Sequence, residues 1–482
     1  LALFDAYTRR YFLMDQAYRK FYVSYDKARK PELLKGIRNR VEGIYRNWFL
    51  QDLGMAWSDA VQQNLAEWQR LDGRVDQQDM FFASVESHLV RDGRVFVIVS
   101  DALRYETGEE LAGRLRREFS GDTELRPMQG VLPGITSLGM ASLLPHRSSL
   151  AIGEGGSGIV YGQPTEGLDR RQALLAESGY ASKAMLLKDI IAMTTDEMRT
   201  ALDGTRLVYI YHDRIDDTGH RRNESEVFHA VDDAIDEIVD VVRALRNKVS
   251  ATNIYITADH GFVYTRDPLD ESDKVSPVSG AAADFDKRYA LTRAPIIGDG
   301  VDSIKLRHRS ADGSDLYLVT PRAYGRFRKQ GPGINYMHGG TSLQETVIPK
   351  VWHRNDKTGK QTAIKVNLDV WASANRITNR VFTLEFLQEQ PVGGLWLPRK
   401  VIARFEDADG RLISDEIVVI ADRKSQDRND RLFRERFTLV GTDFDKNADY
   451  YLVLEDPEER IERIIMNRRF QIDLGIMIGF DF

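Results

Sequence analysis

The sequence of 482 residues contains no cysteine and no long apolar run. Without cysteine the chain can form neither disulfide bonds nor thiolate zinc sites, and it has no cysteine nucleophile. This is consistent with the reducing cytoplasm, where we expect it to be located. Since no apolar segment reaches about 18 residues and the start shows no signal-peptide pattern, we expect no membrane partner. The chain begins with Leu1 instead of methionine, so we expect that it is a piece of a longer protein.

A strong excess of positive charge is also absent. The formal net charge is −6, from 67 lysines and arginines against 73 aspartates and glutamates. This balance argues against a wholly cationic DNA-binding protein, although it leaves local basic patches open. What the chain has is the composition of an ordinary soluble protein, with 42% hydrophobic and 29% charged residues. At roughly 100 to 200 residues per domain, we expect about two to four domains, each with its own core.

Two kinds of apolar pattern occupy most of the chain. Residues 1–90 carry aromatic and apolar side chains at helical spacing among many charges, which predicts a helical domain. From Arg94 the pattern switches to the short apolar runs VFVIVS, RLVYIYH and NIYITADH, separated by amphipathic segments such as 225–247. Apolar strands that alternate with helices indicate an α/β fold with a parallel sheet. We therefore predict a parallel-sheet core over residues 91–353.

The last part of the chain has a third pattern, which follows a polar stretch at 354–361, RNDKTGKQ. The segments after it alternate apolar and polar residues: AIKVNLDVWA, NRVFTLEFLQ, KVIARFED, DEIVVIAD, ERFTLV and DYYLVLED. Such alternation is typical of strands with one exposed face, and strands at this spacing indicate a sandwich. We predict a β-sandwich domain over residues 362–482.

Three predicted strands of the core run into side chains that bind metals. These are Asp101 after VFVIVS, Asp216 and His220 in the loop after RLVYIYH, and Asp259 and His260 after NIYITA. The carboxyl ends of parallel strands are where ligands bind in such sheets. Gly261 lets the backbone turn behind the last pair, so that both side chains can face one centre. The sequence therefore predicts a metal site at this edge of the sheet.

Two further signals support this site. Asp216 and His220 are separated by a glycine turn and can both reach one zinc-like ion, with Asp217 as an alternative ligand. His338 precedes two glycines in YMHGGTSLQE and is predicted to lie in a loop with unusual backbone freedom. Each signal is weak alone, because an Asp-His pair can also cap a strand end and histidine beside glycine is common in turns. Their joint placement at successive strand ends is what predicts the metal site.

A hydroxyl nucleophile is available between the first and second ligand clusters. In LPGITSLGMAS, residues 132–142, Pro133 and Gly134 make a turn, Thr136 and Ser137 follow, and a run of small residues can start a helix. A hydroxyl near a helix start and near a metal can ionise to an alkoxide. The alternative is a plain Thr or Ser helix cap. Either hydroxyl can be the nucleophile on this reasoning.

The order of these residues resembles that of the alkaline phosphatase superfamily. The segments SDALRYE, LPGITSLGMASLLP, TADHGF and HGGTSLQETVIP resemble, more specifically, the PglZ family of bacterial phage-exclusion (BREX) systems, over about residues 94–352. The resemblance implies two metal sites: Asp101, Thr136, Asp259 and His260 for one ion, and Asp216, His220 and His338 for the other. It also implies that Thr136 is the nucleophile and that a covalent phospho-intermediate is released by water.

The resemblance further implies a metal-dependent phosphodiesterase or nuclease in phage defence, a hydrolase of class EC 3.1. We expect two zinc ions, because Asp and His ligands in tetrahedral sites suit zinc, with manganese as the alternative. A sulfatase is not expected, since there is neither a cysteine nor a Ser-x-Pro-x-Arg pattern around the nucleophile. The expected partners are a nucleic acid or nucleotide phosphodiester as substrate and other phage-defence proteins such as the system's methyltransferase.

Basic residues upstream of His338 bear on the substrate. Region 305–330 holds seven basic and two acidic residues with interleaved aromatics, which can guide a nucleic-acid strand, although a solvated charged surface is the alternative. Arg326 and Arg328 are therefore candidate substrate-binding residues. Arg104 is a third candidate that can equally form a structural ion pair. Glu345 is predicted to be a helix cap or a partner of the site residues.

Other functions stay open. A scaffold subunit would bind metal in the core and organise a defence complex through its terminal domains, whereas a phosphomonoesterase or mutase would act on a metabolite in a closed pocket. A dinucleotide-binding enzyme is not expected. The stretch 153–158, GEGGSG, has the G-x-G-x-x-G spelling but follows no convincing strand, so we interpret it as a loop near the active site.

Overall fold

The structure is a computed structural model that divides the chain into two compact units. One consists of Leu1–Asp26 with Leu34–Gly359, and the other of Lys27–Leu33 with Lys360–Phe482. The described residues are 2–28, 30–63, 75–91, 93–147, 149–220, 224–269, 271, 274–276, 285–329, 335–356, 364–371, 375–393, 396–441, 444–457 and 464–474. Residues 64–74 of the predicted helical domain and 357–361 of the predicted polar stretch lie outside them. The predicted domain boundaries stay predictions.

A seven-stranded sheet forms the centre of the first unit. Its strands in chain order are β1 (Val75–Asp76), β2 (Val95–Ser100), β3 (Gly121–Gln129), β4 (Ser182–Leu186), β5 (Leu207–His212), β6 (Asn253–Thr257) and β7 (Val347–Asn355). Their spatial order is β1-β3-β7-β6-β2-β5-β4. Strands β6, β2, β5 and β4 are parallel neighbours, and β7 runs antiparallel to both β6 and β3. The predicted α/β core is confirmed, with a sheet that is parallel on one side and mixed on the other.

The three strands predicted from apolar runs are the most deeply buried strands of this sheet. Every residue of β2, β5 and β6 is buried. Continuous apolar runs of this kind belong to strands that are covered on both faces. The strand β7, in contrast, mixes apolar residues with Lys350, His353 and Arg354, so its sequence lacks such a run. This continuous burial explains why the three strands could be predicted from apolar runs in the sequence.

Helices surround the sheet and fill the N-terminal part of the chain. The α-helices are Ala2–Ala6, Phe12–Asp26, Lys35–Gly43, Leu53–Gln63, Glu86–Val90, Tyr105–Glu118, Thr136–Ser142, Leu168–Ala176, Leu187–Ala192, Thr195–Ala201, Arg214–His220, Val227–Val249 and Leu343–Thr346; Tyr7–Tyr11, Ile44–Asp52 and Phe81–Val85 are π-helical. The amphipathic segment 225–247 is confirmed as a helix, which packs against Tyr105–Glu118 and Phe12–Asp26. Within the described residues, no helix combines the length and the apolarity that a membrane span requires.

Short strands complete the first unit. One three-stranded sheet has the strand order Ala151–Ile152, Gly158–Val160, Gln163–Pro164. A second has the order Ala290–Thr292, Tyr317–Pro321, Val301–Lys305. Two further pairs are Val263–Tyr264 with Tyr336–Met337 and Lys274–Val275 with Arg326–Phe327. In one of these pairs, Val263 lies opposite Met337. This pairing brings the segment that contains His338 next to the end of β6.

The second unit consists mainly of strands, as its alternating pattern predicted. The first sheet has the strand order Leu368–Trp371, Val381–Gln388, Leu432–Thr438. The second sheet has the order Arg376–Ile377, Ile464–Ile472, Tyr450–Glu455, Arg399–Glu406, Ile417–Ala421. In addition, Ile364–Lys365 pairs with Trp396–Leu397. Phe437 of the first sheet and Phe405 of the second are fully buried, with ring centroids 5.4 Å apart. The two sheets therefore share one hydrophobic core.

Buried ion pairs join the N-terminal helices to the helix Tyr105–Glu118. Arg19 is fully buried and donates to Glu106, which is also fully buried. Arg104, directly before this helix, forms an ion pair with Asp15, and both side chains are fully buried. Burying a charge is tolerated when it is paired and hydrogen-bonded. The N-terminal helices therefore depend on these pairs as well as on apolar packing.

Removing one partner of the buried pair is expected to destabilise the first unit. In Asp15→Ala the guanidinium of Arg104 is left buried without its counter-charge, which costs about 3–5 kcal/mol. Urea unfolding followed by tryptophan fluorescence measures this loss. The control is Asp312→Ala, because Asp312 and its partner Arg293 are exposed and such pairs contribute little. An unchanged unfolding midpoint in Asp15→Ala would contradict this account.

Candidate active site

The parallel strands at the centre of the sheet end at the same level. In the register of the sheet, Ser100 lies opposite His212, and Val99 lies opposite Thr257. The residues that follow β2 and β6, Asp101 and Asp259, therefore leave the sheet side by side. Both are almost fully buried. The predicted convergence of strand ends is thus what the structure has.

Asp101, Asp259 and His260 form a first group whose potential ligand atoms lie within 4.8 Å of one another. The Nε2 atom of His260 lies 3.4 Å from Oδ1 of Asp101 and 3.4 Å from Oδ2 of Asp259. The hydroxyl of Thr136 lies 3.1 Å from the same Nε2. The other ring nitrogen of His260 donates to the carbonyl of Gly261, at 3.0 Å, which leaves Nε2 free to act as a ligand atom.

Asp216, His260 and His338 form a second group of the same kind. The stacked rings of His260 and His338 have centroids 4.0 Å apart. Nε2 of His220 lies 3.2 Å from Oδ1 of Asp216 and 3.1 Å from Nε2 of His338. The hydroxyl of Tyr336 donates to Oδ1 of Asp216 at 2.8 Å. All seven predicted metal-site residues therefore meet in one place, with His260 between the two groups.

Asp216 and His220 lie in a helix and not in the loop predicted for them. The helix Arg214–His220 begins directly after β5. Residues four apart lie on the same face of a helix, so the two side chains point to one side without a glycine turn. The burial also separates the alternatives at this position, because Asp216 is partly buried in the site whereas Asp217 is exposed. The four-residue spacing of Asp216 and His220 brings their side chains together on a helix, and not across the predicted glycine turn.

The two glycines after His338 are required by close packing. Gly339 has φ +110°, and a Cβ at this position would lie 2.4 Å from the ring of Tyr289. A Cβ at Gly340 would lie 2.5 Å from the guanidinium of Arg288. Glu345 accepts hydrogen bonds from the backbone N–H of Gly340 and pairs with Arg288. The loop that carries His338 is therefore tightly held, although its glycines suggested freedom.

Glu345 is confirmed as a helix cap. Its side chain and that of Ser342 form a capping box at the start of Leu343–Thr346. Its buried partner Arg288 was missed in the sequence, because a single arginine beside a tyrosine in a polar segment has no local signal. The connection between them spans 57 residues. Sequence spacing alone does not report such a contact.

Burial and neighbouring charges shift the pKa values of the carboxyl groups and of His260 at this edge of the sheet. Burial and then the neighbouring Asp259 and Asp216 raise the pKa of Asp101 well above its usual range. Burial raises the pKa of Asp259 to about 7. Burial and then His338 lower the pKa of His260 to about 3. Although burial opposes ionisation of Asp216, the hydrogen bond from His220 and the charges of His338 and His260 lower its pKa.

Unpartnered atoms show that the site fits divalent cations. Oδ1 of Asp101 and Oδ2 of Asp259 are buried and have no hydrogen-bond partner among the described residues. Such atoms are costly to bury unless a cation or a donor meets them. His338 donates from Nδ1 to the carbonyl of Gly134, which leaves its Nε2, 3.1 Å from Nε2 of His220, available as a ligand atom. Carboxylate oxygens and imidazole nitrogens together suit zinc or manganese.

A cleft of about 500 Å³ opens onto the site and is lined by Thr136, His220 and His338. Thr136 directs its hydroxyl to His260, whereas the hydroxyl of Ser137 donates to the carbonyl of Gly156 at 3.0 Å. Of the two candidate nucleophiles, Thr136 is therefore the one that faces both ligand groups. Gly155, from the predicted glycine loop, also lines the cleft.

The three predicted substrate-binding arginines are placed elsewhere. Arg104 is fully buried in its ion pair with Asp15, which is the structural alternative considered for it. Arg326 is buried and donates to Thr265. Arg328 is exposed and donates to the carbonyl of Glu271, outside the cleft lining. None of the three guanidinium groups lines the described cleft, so the structure does not bring them to the site, and a role in substrate binding stays a prediction.

Most of the predicted basic region is neutralised by acidic neighbours. Lys305 and Arg309 both pair with Asp315. The remaining pairs are Arg307 with Asp76, Arg322 with Asp59 and Asp302, and Lys329 with Asp286. The charge excess in the linear sequence therefore overstates the positive charge of this surface. Lys329 is the member of the region that lines the cleft, together with Lys287, which the sequence analysis did not single out.

Comparison with known families agrees with the motifs. Residues 80–352 match the model of the BREX system PglZ alkaline phosphatase-like domain. The chain belongs to the PglZ family. It is 39% identical to the alkaline phosphatase-like protein PglZ of Bacillus cereus (strain H3081.97), over 100% of this chain and 56% of that protein. It is 30% identical to the alkaline phosphatase-like protein BrxZ of Escherichia coli O9:H4 (strain HS), over 94% of this chain and 54% of that protein.

The chain thus spans about half the length of the curated PglZ relatives it matches. Solved structures show a more distant similarity. Murine ectonucleotide pyrophosphatase/phosphodiesterase 5 covers 55% of this chain and 88% of its own, with 12% identity and a TM-score of 0.37. Phosphonoacetate hydrolase from Sinorhizobium meliloti 1021 in complex with phosphonoformate covers 56% of this chain and 92% of its own, with 10% identity and a TM-score of 0.36.

The contact between the Thr136 helix and the end of β6 yields a testable prediction. A Cβ at Gly139 would lie 2.3 Å from the backbone oxygen of Asp259. We expect Gly139→Ala to destabilise the protein by about 1–3 kcal/mol, since overpacking outweighs the better helix propensity of alanine. The control is Gly134→Ala, whose Cβ would meet its nearest neighbour at 3.6 Å. Equal thermal stability of the two variants would show that this contact is not tight.

Proposed function

We propose that this chain is a metal-dependent phosphodiesterase, and specifically a nuclease, of a BREX phage-defence system. In this proposal Thr136 is the nucleophile. One ion is held by Asp101, Thr136, Asp259 and His260, and the other by Asp216, His220 and His338. The observation that carries the proposal is the placement of the Thr136 hydroxyl 3.1 Å from His260, the residue that belongs to both ligand groups. A hydroxyl in this position faces both groups at the end of an open cleft.

The bound ions would polarise the phosphoryl oxygens and favour the ionised form of the hydroxyl. The chain's own residues orient the reactants. His260 is held with Nε2 toward Thr136 by its bond to Gly261, and Tyr336 holds Asp216. The Thr136 oxygen then gives up its proton to solvent and attacks phosphorus, the P–O bond to one alcohol breaks, and that alkoxide takes a proton from solvent. Water cleaves the resulting Thr136 phosphodiester, which still carries the second alcohol; this restores the hydroxyl and releases the phosphomonoester of the second alcohol.

Zinc is the proposed metal because carboxylate and imidazole ligands in tetrahedral sites suit it, and manganese is the alternative. The proposed substrate is a nucleic acid or nucleotide phosphodiester. The open cleft of about 500 Å³ has room for a substrate of nucleotide size. Other proteins of the same defence system, including its methyltransferase, are the proposed partners on the basis of family membership. The cytoplasmic location stays a prediction.

Hydrolysis of chromogenic esters tests the reaction. Metal-stripped protein receives zinc or manganese and then bis(p-nitrophenyl) phosphate or p-nitrophenyl phosphate. We expect the diester to be cut only with metal, and Thr136→Ala to lower kcat by about a thousandfold or more, because the attacking oxygen is lost. Thr136→Ser keeps a hydroxyl and should retain much more activity. Ser137→Ala is the matched control, since its hydroxyl faces Gly156.

The other outcomes separate the alternatives. Loss of hydrolysis in Thr136→Ala without loss of complex formation with other defence proteins would assign catalysis and assembly to different parts of the protein. If neither ester is cut although metal binds tightly, the chain is a scaffold with a metal-binding core. If the monoester alone is cut, it is a phosphomonoesterase or mutase.

Metal content tests the two ligand groups separately. We expect two equivalents of zinc per chain by elemental analysis, and about one equivalent in Asp259→Ala and in Asp216→Ala, because each change removes a ligand from one group. The matched control is Asp217→Ala, since Asp217 neighbours Asp216 but is exposed. Loss of zinc in Asp217→Ala with full loading of Asp216→Ala would overturn the ligand assignment.

A further inference from the structure

A buried glutamine joins the segment that leads to the proposed nucleophile to the segment that carries the strand-end ligands. Gln77 is fully buried. Its Nε2 donates to the carbonyls of Ala258 and Asp259, at 3.0 and 2.6 Å. Its Oε1 accepts the N–H of Val131 at 2.9 Å. Both ends of the amide are therefore used, and all three partners are backbone groups.

Strand pairing explains how Gln77 reaches Val131. The strand β1 pairs in parallel with β3, and Asp76 lies opposite Gln129 at the ends of both strands. Gln77 follows directly and begins the short 3-10 turn Gln77–Asp79, which the side chain of Asp76 caps. The chain that leaves β3 continues through Val131 toward Thr136. Gln77 therefore lies beside the start of the segment that carries the proposed nucleophile.

The bonds from Gln77 to the end of β6 lie outside the strand ladder. In the sheet, β1 and β6 are separated by β3 and β7. Ala258 and Asp259 follow the last residue of β6, and both are buried. A buried backbone carbonyl needs a hydrogen-bond donor, because leaving it unpaired costs free energy. Gln77 supplies this donor from a distant part of the chain and holds the backbone that carries two of the candidate ligands.

The helix of Thr136 packs against the same carbonyl group. A Cβ at Gly139 would lie 2.3 Å from the backbone oxygen of Asp259, which also accepts the 2.6 Å hydrogen bond from Gln77. The hydroxyl of Thr136 lies 3.1 Å from Nε2 of His260, the next residue along the chain. This distance depends on how the two segments sit against each other. Gln77 contacts both of them.

A second bridge connects the same two segments through the backbone. The N–H of Gly130 donates to the carbonyl of Thr346 at 2.8 Å, and the N–H of Gly261 donates to the carbonyl of Glu345 at 3.0 Å. The bonds from Gln77 hold the chain just before His260, and this backbone bridge holds it just after. Two separate attachments restrict rotation of a segment, whereas a single one leaves it free to turn.

We propose that Gln77 is a positioning residue of the proposed phosphodiesterase, which fixes Asp259 and His260 relative to Thr136. The proposal rests on the proposed function and adds a residue to it. Gln77 is not part of the lining of the described cleft, so it acts through the residues that it holds. Partners of this kind orient ligands, and their loss typically lowers metal affinity or activity by about 10- to 100-fold.

The test removes the amide and keeps the size of the side chain. Gln77→Met has a similar length but makes none of the three hydrogen bonds. In the zinc-loaded full chain we expect kcat for bis(p-nitrophenyl) phosphate to fall about 10- to 100-fold, with KM changed less than about twofold. Competition with a chromogenic chelator should show zinc binding weakened by about tenfold for one of the two equivalents. All measurements are made well below the melting temperature of each variant.

Gln388→Met is the matched control. Gln388 is fully buried in the second unit. Its Nε2 donates to the carbonyls of Gln390 and Arg423, at 2.6 and 2.7 Å, and its Oε1 accepts the N–H of Arg423 at 2.9 Å. Losing these bonds also leaves buried backbone groups unpaired, so we expect a similar loss of thermal stability. Neither kcat nor zinc affinity should change.

A milder variant keeps the test decisive if Gln77→Met does not fold. Gln77→Asn retains an amide but is one methylene shorter, so it cannot reach all three partners at once. Gln388→Asn is its control. We expect the same direction of change in kcat and zinc affinity, since any bond that is lost loosens one of the two segments.

The outcomes separate the positioning role from the proposed function. A lower kcat with unaltered zinc affinity supports the role through Thr136, and weaker zinc binding supports it through the ligands. Unchanged kcat and zinc affinity, an effect on KM alone, or equal effects in the Gln388 control would overturn it. If the unaltered protein cuts neither ester but Gln77→Met weakens zinc binding, the positioning role stands and the hydrolytic function fails.

Discussion

The hydrogen-bonded ladder of β5, β2 and β6 is the constraint on which the site depends. The three strands are parallel and buried throughout, and their register brings Asp101 and Asp259 out of the sheet side by side. A slip of one residue would turn every side chain of a strand to the other face. Because both faces of this sheet are packed, such a slip would also disrupt the core. The register is therefore held by the whole first unit, and the ligand geometry follows from it.

Buried charge is treated differently at the site and away from it. Arg19, Arg104 and Arg288 are fully buried, and each has a carboxylate partner. At the strand ends, in contrast, Asp101 and Asp259 have no lysine or arginine partner among the described residues, and each leaves an oxygen atom without a hydrogen-bond partner. A stable fold accepts this cost where function requires it. The ion pairs build the frame, and the unpartnered carboxylates mark the place where divalent cations fit.

The Arg288–Glu345 pair shows how one contact serves several parts of the cleft. Glu345 caps a short helix, holds the loop after His338, and neutralises Arg288. Arg288 in turn fixes the segment that carries Lys287. Histidine ligands depend on partners of this kind for their orientation. The short helix, the loop after His338 and the segment that carries Lys287 are thus coupled through a single buried interaction, while the exposed basic region nearby is largely offset by its own acidic neighbours.

The sequence by itself determined the buried strands, the alternating strands of the second unit, the candidate ligand residues at the strand ends and the family. These signals are local: apolar runs, alternation and short motifs with Gly261 or Gly339 at fixed positions. Only the tertiary structure decided that Asp216 and His220 share a helix face, that Thr136 rather than Ser137 faces His260 across 124 residues of sequence, and that Arg104 is structural. The antiparallel β7 and the lysines of the cleft were equally hidden. Each of these depends on which distant segments pack together, and side-chain spacing along one segment does not contain that information.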